Sequence, residues 1–228
     1  MSGSFTSDWE PVNASACSGS WDFGCANPVR WWDIRIRLCN ARIKKLRALA
    51  RRDDVDLWAL DEVHFQQYGS RCRMWIAPEE KDPVLLHHPT RKAVGYYGAV
   101  RLRDGKFIYR REEELFQGEG FWHFMLDLRK KGQTPGRQIV AITDNAKYHH
   151  ASIHQAWRVA VAREFQLHFL PPYSPELNPI ERVWKLARRN CLHNRYFARL
   201  EEVIGSVERQ FVQWNRPNEI LRRLCSLV

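Results

Sequence analysis

Two short apolar segments that end in acidic residues constrain the fold of this chain most strongly. VDLWALDE at 55–62 ends in Asp61 and Glu62, and QIVAITDN at 138–145 carries Asp144 directly after its apolar part. Apolar runs of this length are typical of buried β-strands. If the two strands are parallel neighbours, both carboxylates emerge at one edge of a sheet, where α/β proteins commonly build their sites.

The other segments predict the rest of a sheet and its helices. Alternating residues predict strands at 70–76 and 165–170, and Asp104-Gly105 predicts a β-hairpin with a type I′ turn. Apolar residues at helical spacing predict helices at 41–52, 120–131, 153–162, from about 179, and 199–214. Because antiparallel strands precede an alternation of helices and strands, we predict an α/β domain with a mixed sheet flanked by helices.

The two strand-end acids favour chemistry that depends on metal ions. Two carboxylates a few ångströms apart are hard to keep ionised together. A divalent cation stabilises such a pair, and Mg²⁺ fills its remaining positions with water and phosphate oxygens. Taken singly, Asp61 and Asp144 are more often turn or cap residues, and that interpretation stays open. Spacing alone also leaves Glu62 and Glu176 as rival acids.

A proline-rich segment, LPPYSPELNPIERVW at 170–184, supplies a third acid, Glu181. From these residues alone, Asn178 as the cap and Pro179 as the first residue predict a helix start, with Glu181 folding back onto the cap. Lys185, one turn later, makes an ordinary surface ion pair with Glu181 a second alternative. Both structural roles compete with metal binding.

Three segments in this order resemble the signature blocks of mariner-type DDE transposases from bacterial insertion sequences: ALDEVHF at 59–65, AITDNAKYHHA at 141–151, and the proline-rich segment. The third block is the most specific, and 36 residues separate Asp144 from Glu181, close to the spacing in that family. The resemblance covers residues 41–228 and implies a ribonuclease-H-like catalytic domain. Residues 1–40 show no helix or strand period, and we predict a poorly ordered or aberrant N-terminal segment there.

The resemblance implies which residues act and on what. Asp61, Asp144 and Glu181 fall on the family's catalytic, metal-binding acids. Asn145 is expected to orient a metal-bound water, with turn formation as the alternative. The implied cofactor is two Mg²⁺ ions per site, with Mn²⁺ able to substitute. The implied activity is metal-dependent cleavage of a DNA strand, followed by strand transfer through the freed 3′-hydroxyl.

Two other functions remain open from the sequence. The chain could be a truncated or domesticated transposase remnant that is catalytically idle and acts only as a DNA-binding protein. It could also be a stand-alone ribonuclease-H-like nuclease or resolvase. The intact set of acids argues against the remnant, and the proline-rich block argues for a transposase over a stand-alone nuclease.

The charge of the chain predicts a polyanionic partner. Lysine and arginine number 36 against 26 aspartates and glutamates, which gives a formal net charge of +10. Basic residues also flank Glu181 on its predicted helix and are expected to neutralise DNA phosphates, with a solvated helix face as the alternative: Arg182, Lys185, Arg188 and Arg189.

The resemblance defines the partner further. It implies double-stranded DNA, both element ends and target, and a homodimer in the active complex. The family normally carries helix-turn-helix modules ahead of the catalytic domain. Only 60 residues precede Asp61, and the first 40 of them show no such pattern, so we expect either a separately encoded helix-turn-helix part or a decayed element.

The chain shows no signs of export or membrane insertion. No apolar run reaches the ~18 residues that a membrane-spanning helix needs, and the N-terminus has no leader pattern. The six cysteines lie far apart and predict free thiols in a reducing cytoplasm, here the bacterial cytosol and its nucleoid. For the histidine cluster at 149, 150 and 154, surface or DNA contacts are favoured over a zinc site.

Overall fold

A mixed sheet forms the centre of the protein in a computed structural model, which describes residues 40–73, 75, 77, 79, 84, 86, 89–172 and 174–227. Its strands run in the order β3-β2-β1-β4-β5. Their bounds are β1 Val55–Gln66, β2 Ala93–Arg101, β3 Phe107–Glu112, β4 Gln138–Thr143 and β5 Phe165–Phe169. β1 pairs antiparallel with β2, as β2 does with β3, while β1–β4 and β4–β5 are parallel. The predicted mixed sheet is confirmed.

Helices cover both faces of this sheet. They are α1 at 40–50, α2 Gly118–Gly132, α3 Gln155–Ala160, α4 Ile180–Cys191, α5 Leu200–Trp214 and α6 Glu219–Leu224. Short 3₁₀ turns lie at Lys147–His150, Ser152–His154 and Pro175–Leu177. The helices predicted at 41–52, 120–131, from about 179 and at 199–214 are confirmed. Among the described residues, no helix is long and apolar enough to cross a membrane.

The two faces of β1 explain why its sequence is apolar without clear alternation. Leu57 and Phe65 belong to the core that α4 and α5 complete. Trp58 and Leu60 belong to a second core, which α2 fills with Phe121 and neighbouring apolar residues. A strand buried on both faces needs apolar residues at nearly every position. β1 is therefore the central strand of the sheet, and it lies between two hydrophobic cores.

β1 is longer than the sequence predicted. The apolar segment ends at Leu60, yet the strand continues to Gln66 because β2 pairs with it up to that residue. Asp61 and Glu62 therefore lie inside a strand rather than at its end. What stops near Asp61 is the parallel pairing with β4, whose last pair is Ala59 with Ile142.

The predicted strand at 70–76 is wrong at its described residues. Ser70 forms a single bridge with His193, and residues 71–73 are exposed and have no regular structure. Met74 and Ile76, on which the alternating pattern rested, lie outside the described residues. Alternating residues favour a β-strand only where a neighbouring strand is available for backbone hydrogen bonds, and the sequence pattern carries no information about such a neighbour.

The hairpin is confirmed, but its predicted turn type is wrong. β2 and β3 are joined by residues 102–106, in which Gly105 has a φ of 71° while Asp104 is not among the described residues with positive φ. A type I′ turn requires positive φ at both central residues. Asp104 instead accepts hydrogen bonds from the Arg101 side chain and the Lys106 backbone, which favours a longer loop.

The helix predicted at 153–162 is shorter than its pattern. α3 covers only Gln155–Ala160 and contains no buried residue, and Ile153 is 47% exposed. Two of the four apolar residues at helical spacing here are alanines, Ala156 and Ala160, whose small side chains gain little from burial. A 3₁₀ turn therefore replaces the predicted first turn of the helix.

A buried ionic cluster lies at the start of β1, at the end of the strand opposite Asp61. Asp56 is fully buried and its Oδ2 atom lies 3.0 Å from Arg101 Nη1 and 2.7 Å from Thr134 Oγ1. Asp56 Oδ1 lies 3.1 Å from Arg103 Nε. Asp104 binds the same arginine, Arg101, at 2.6 Å. The cluster joins β1 to the end of β2 and to the loop before β4.

We expect Asp56→Ala to lower the free energy of unfolding by about 3 kcal/mol, because it leaves Arg101 buried without one of its partners. This is the lower end of the range for broken buried pairs, since Asp104 still holds Arg101. Urea denaturation followed by circular dichroism measures the change. Asp54→Ala, in an exposed pair with Arg52, is the matched control and should lower the free energy of unfolding far less, because solvent screens an exposed pair. Equal losses of unfolding free energy in the two variants would show that the buried cluster stabilises the protein no more than an exposed ion pair does.

Candidate active site

The register of β1 and β4 brings two of the predicted acids to the same level of the sheet. The last parallel pair is Ala59 with Ile142. Asp61 and Asp144 each follow their member of that pair by two residues, so both side chains emerge beyond it. Together with Glu181 they line a cleft of about 420 Å³. The structure therefore brings the three sequence-predicted acids to one site.

Glu181 enters the cleft from the first turn of α4. The prediction that Asn178 caps this helix is wrong, because α4 has no side-chain cap and begins at Ile180. Asn178 is buried and its Nδ2 donates to the Leu60 carbonyl at 2.8 Å. This bond ties the start of α4 to the residue before Asp61. Its Oδ1 atom has no hydrogen-bond partner among the described residues, and Asn178 lines the cleft.

The other structural role proposed for Glu181 is also not observed. Within the described part of the chain, no ion pair joins Glu181 to Lys185. Glu181 is only partly buried and faces the cleft that Asp61 and Asp144 share. Among the described residues, the Glu181 carboxylate is thus engaged neither in capping α4 nor in an ion pair with Lys185.

Asp61 is partly buried and is held by α4. Trp184 Nε1 donates to Asp61 Oδ2 at 3.0 Å. Burial raises the pKa of Asp61 to about 8, and the neighbouring carboxylates of Glu62 and Glu181 add to the shift. Crowded, desolvated carboxylates take up a proton at neutral pH unless a cation compensates their charge. This crowding is the electrostatic property that a metal-binding site built from acids requires.

Asp144 is in a different environment. Its side chain is 56% exposed, and its Oδ1 atom lies 3.0 Å from His149 Nδ1 and 3.1 Å from the Ala146 backbone nitrogen. The hydrogen bond from His149 lowers the pKa of Asp144 below its usual value. Asp144 therefore stays ionised more readily than Asp61.

His149 is buried, so the predicted surface role is wrong for this residue. Its Nε2 atom lies 3.0 Å from Glu62 Oε1, while Nδ1 faces Asp144. Burial lowers the pKa of an imidazole, but the hydrogen bonds with Asp144 and Glu62 outweigh it and raise the pKa of His149 to about 9. Nε2 then donates to the Glu62 carboxylate. Nδ1 donates towards Asp144, with Oδ1 at 3.0 Å and the backbone carbonyl at 3.2 Å, and Thr143 Oγ1 lies 3.3 Å from the same nitrogen. The charge of the imidazolium compensates part of the negative charge of the site.

The other two histidines differ from each other. His154 is also buried, with Nε2 3.2 Å from the Tyr148 carbonyl. His150 is exposed and stacks on Phe169 with ring centroids 4.1 Å apart. Only His150 therefore has the surface position that the sequence predicted for the cluster.

Asn145 lies in the cleft, next to Asp144. Its side-chain amide donates to the Leu170 carbonyl, which links the end of β4 to the loop that follows β5. This contact is not the turn that the sequence offered as the alternative, and the orientation of a metal-bound water by Asn145 stays a prediction. The rival acids do not line the cleft: Glu62 is bound to His149, and Glu176 is exposed outside it.

The basic residues on α4 divide into two groups. Arg182 donates to the carbonyls of Leu224 and Ser226 at 2.9 and 3.1 Å, so it anchors the C-terminal end of α6. The Arg188 guanidinium lies 5.8 Å from the centroid of the Phe65 ring. Lys185 and Arg189 are exposed on the same helix. The last two have the geometry of a solvent-facing basic surface.

A family model described as DDE superfamily endonuclease matches residues 56–204, which is more than half of the chain. The chain belongs to the DDE superfamily endonuclease family. The match begins at the second residue of β1 and ends in α5, so it contains all three acids of the cleft. The predicted family is thus confirmed.

Solved structures of the mariner transposase Mos1 share the fold of this DDE chain. The Mos1 strand transfer complex matches with a TM-score of 0.61 at 16% identity, covering 94% of this chain and 62% of that one. The Mos1 catalytic domain matches with a TM-score of 0.56 at 13% identity, covering 88% of both chains. At these identities the likeness is one of fold, and it confirms the predicted ribonuclease-H-like architecture.

A curated relative matches a shorter part. "Uncharacterized protein y4pE/y4sA" from Sinorhizobium fredii (strain NBRC 101917 / NGR234) is 39% identical over 69 residues, which are 30% of this chain and 47% of the relative. The chain thus spans about half the length of this relative and under two thirds of the Mos1 strand transfer chain.

Sequence reasoning missed the side chains that hold the acids of this DDE site in place. Trp184 was assigned only to the buried stripe of α4, yet a buried indole N–H usually finds a partner, which is a signal that it bonds to something. The contacts of His149 with Glu62 and Asp144 had no comparable signal, because Glu62 lies far away in the sequence.

Gly98 makes room for the indole that binds Asp61. It pairs with Asp61 across β1 and β2, and a Cβ atom there would lie 2.2 Å from Trp184 Cη2. Trp184 cannot move away easily, because Phe107 packs against it at a centroid distance of 5.7 Å. Substituting Gly98 therefore displaces the indole ring or the strand.

We expect Gly98→Ala to lower the free energy of unfolding by about 1–3 kcal/mol through overpacking. Gly205→Ala is the matched control, because nothing lies within 4 Å of a Cβ built at that helical position. In the interior of α5 this substitution should raise the free energy of unfolding by about 0.5–1 kcal/mol. Urea denaturation of both variants measures the effects, and the same sign in both would contradict the packing argument.

Proposed function

We propose that this chain is the catalytic part of a transposase that cleaves and transfers DNA strands with the aid of divalent cations. The observation that carries the proposal is that Asp61, Asp144 and Glu181 line one cleft. They come from a strand, from the residue after a strand and from a helix start, so only the fold brings them together. Membership of the DDE superfamily endonucleases supports the same assignment.

The residues of the cleft fit a divalent cation. Three carboxylates are hard oxygen donors, which Mg²⁺ and Mn²⁺ prefer over nitrogen or sulfur. Asn178, whose Oδ1 atom has no hydrogen-bond partner among the described residues, also lines the cleft and adds an amide to its carboxylates. When bound, two such cations activate water and stabilise the charge that develops on a phosphate undergoing in-line displacement. The similar Mos1 paired end complexes were determined with Mn and with Mg.

The side chains of this protein would orient the cations and the substrate. Trp184 fixes one oxygen of Asp61, and His149 fixes one oxygen of Asp144. The bond from Asn178 to Leu60 sets the distance of α4, and hence of Glu181, from β1. In cleavage, water bonds to phosphorus as the bond to the 3′ oxygen breaks and frees a 3′-hydroxyl. In strand transfer, that hydroxyl oxygen bonds to a phosphorus of the target DNA as the bond from this phosphorus to the target's 3′ oxygen breaks, which leaves a 3′-hydroxyl on the target strand.

Double-stranded DNA is the proposed partner, both as element ends and as target. The net charge of +10 favours a polyanion, and Lys185 and Arg189 extend a basic surface along the helix that carries Glu181. The similar Mos1 structures include a paired-end complex with a transposon end. The homodimer, the separately encoded helix-turn-helix part and the auxiliary role of Asn145 stay predictions.

Asp61→Asn, Asp144→Asn and Glu181→Gln should each reduce metal-dependent nicking of supercoiled plasmid at least about a hundredfold, because each removes a ligand of cations that supply several kcal/mol. Agarose gels with Mg²⁺ or Mn²⁺ measure the rate. Glu176→Gln is the matched control, since this exposed acid on the same proline-rich segment does not line the cleft.

Nicking by the wild type that persists in the acid variants would refute the site. A folded wild type that binds DNA but does not nick it would favour the alternative, a catalytically idle remnant that acts as a DNA-binding protein.

Lys185→Ala and Arg189→Ala should weaken DNA binding uniformly across sequences, and each should reduce the slope of log K against log salt concentration by about 1. Fluorescence anisotropy with labelled duplex at several salt concentrations measures this slope. Arg182→Ala is the comparison, because Arg182 is bonded to carbonyls near the C-terminus and should change stability more than the slope. An unchanged slope in both of the first two variants would exclude this face of α4 from the DNA interface.

A further inference from the structure

His149 forms a bridge between two carboxylates. Its Nδ1 atom lies 3.0 Å from Asp144 Oδ1, and its Nε2 atom lies 3.0 Å from Glu62 Oε1. Glu62 is the neighbour of Asp61 on β1, while Asp144 follows β4. The bridge therefore spans the two strands whose acids form the cleft, on the side away from Glu181.

Packing fixes the orientation of the bridging ring. His149 is fully buried and lies against Phe121 of α2, with ring centroids 4.2 Å apart. Tyr148 contacts the ring at a centroid distance of 4.5 Å. Because the packed ring cannot turn freely, its two nitrogens point in set directions.

The same three residues could be taken for a metal site of their own. One ligand atom each from Glu62, Asp144 and His149 lies within 4.8 Å of the others. However, the imidazole ring stands between the two carboxylates, and each of its nitrogens faces a different one. A cation could bind His149 only by displacing one of these contacts. The arrangement is that of a hydrogen-bonded bridge rather than a coordination shell.

The bridge leaves one oxygen of Asp144 available. Oδ1 is occupied by His149 and by the Ala146 backbone nitrogen at 3.1 Å. Within the described residues, no hydrogen bond involves Oδ2, and the Asp144 side chain is 56% exposed. With one oxygen held by two donors, the carboxylate plane is fixed and its free oxygen is directed by the protein. Such support of a metal-binding carboxylate commonly raises metal affinity.

We propose that Glu62 and His149 are positioning residues that orient Asp144 for cation binding. The proposal rests on the proposed function, in which Asp144 is a cation ligand. Glu62 acts through His149, and neither residue is itself required as a ligand. The length of the Glu62 side chain matters more than its charge, because it is the distance to Nε2 that must be kept.

The test measures Mn²⁺ binding directly and compares it with nicking. Free Mn²⁺ is followed by electron paramagnetic resonance, and plasmid nicking is measured across Mn²⁺ concentrations. Glu62→Asp, which is too short to reach His149, and His149→Ala should each raise the Kd for Mn²⁺ about 10–100-fold. Nicking should recover largely at saturating Mn²⁺, because the ligands themselves are present. Glu62→Gln keeps the length and an acceptor oxygen and should bind Mn²⁺ within about threefold of the wild type.

His154→Ala is the matched control. His154 is as buried as His149, contacts the same Phe121 ring, and bonds to the backbone of Tyr148. Its substitution should lower the melting temperature as His149→Ala does, yet leave Mn²⁺ binding unchanged. This separates positioning of Asp144 from a general loss of packing.

The outcomes distinguish this inference from the proposed function. If Glu62→Asp binds Mn²⁺ as the wild type does, the bridge does not position Asp144, even when the wild type nicks DNA. The same holds if His154→Ala weakens binding as much as His149→Ala. If Glu62→Asp weakens Mn²⁺ binding but the wild type does not nick, the bridge is supported while the proposed activity fails. Glu62→Asp and Glu62→Gln keep most of the volume of the side chain, so they carry the test should His149→Ala fail to fold.

Discussion

Backbone hydrogen bonds between β1 and β4 set the geometry on which the remaining features of the site depend. Their parallel register ends at Ala59 and Ile142, so the next outward side chains on both strands, Asp61 and Asp144, emerge at one level. A shift of the register by one residue would turn one of the two carboxylates to the other face of the sheet. The bond from Asn178 to Leu60 then adds α4, with Glu181, to the same edge.

Crowding of negative charge is the direct consequence of this geometry. Burial and the neighbouring acids raise the pKa of Asp61, while a hydrogen bond from His149 lowers that of Asp144. The protein opposes the repulsion with donors from the two cores, an indole on one side and an imidazole on the other. A site of this kind holds its acids in place before any cation arrives, which reduces the reorganisation that binding requires.

Different positions of β1 carry the residue that stabilises the fold and the residue that forms the site. At its start, Asp56 is matched by the guanidinium groups of Arg101 and Arg103, so the buried charge there is compensated. In the middle of the strand, Asp61 lies among further acids and is not compensated by any arginine or lysine in an ion pair among the described residues. Uncompensated buried charge is unfavourable for folding and is commonly found where function needs it.

The sequence by itself determined the apolar strands, most of the helices and the three acids, because these follow from local periodicity and from a family pattern in which order and spacing are preserved. The predictions from sequence were wrong where the pairing of strands determines the structure: at 70–76, in the length of β1 and in the turn at Asp104. Only the tertiary structure decided that Trp184 binds Asp61, that His149 joins Glu62 to Asp144, and that Asn178 bonds to β1 instead of capping its helix. Those contacts join residues from different elements, and no local pattern encodes a hydrogen bond between side chains whose separation is set by the packing of a sheet against its helices.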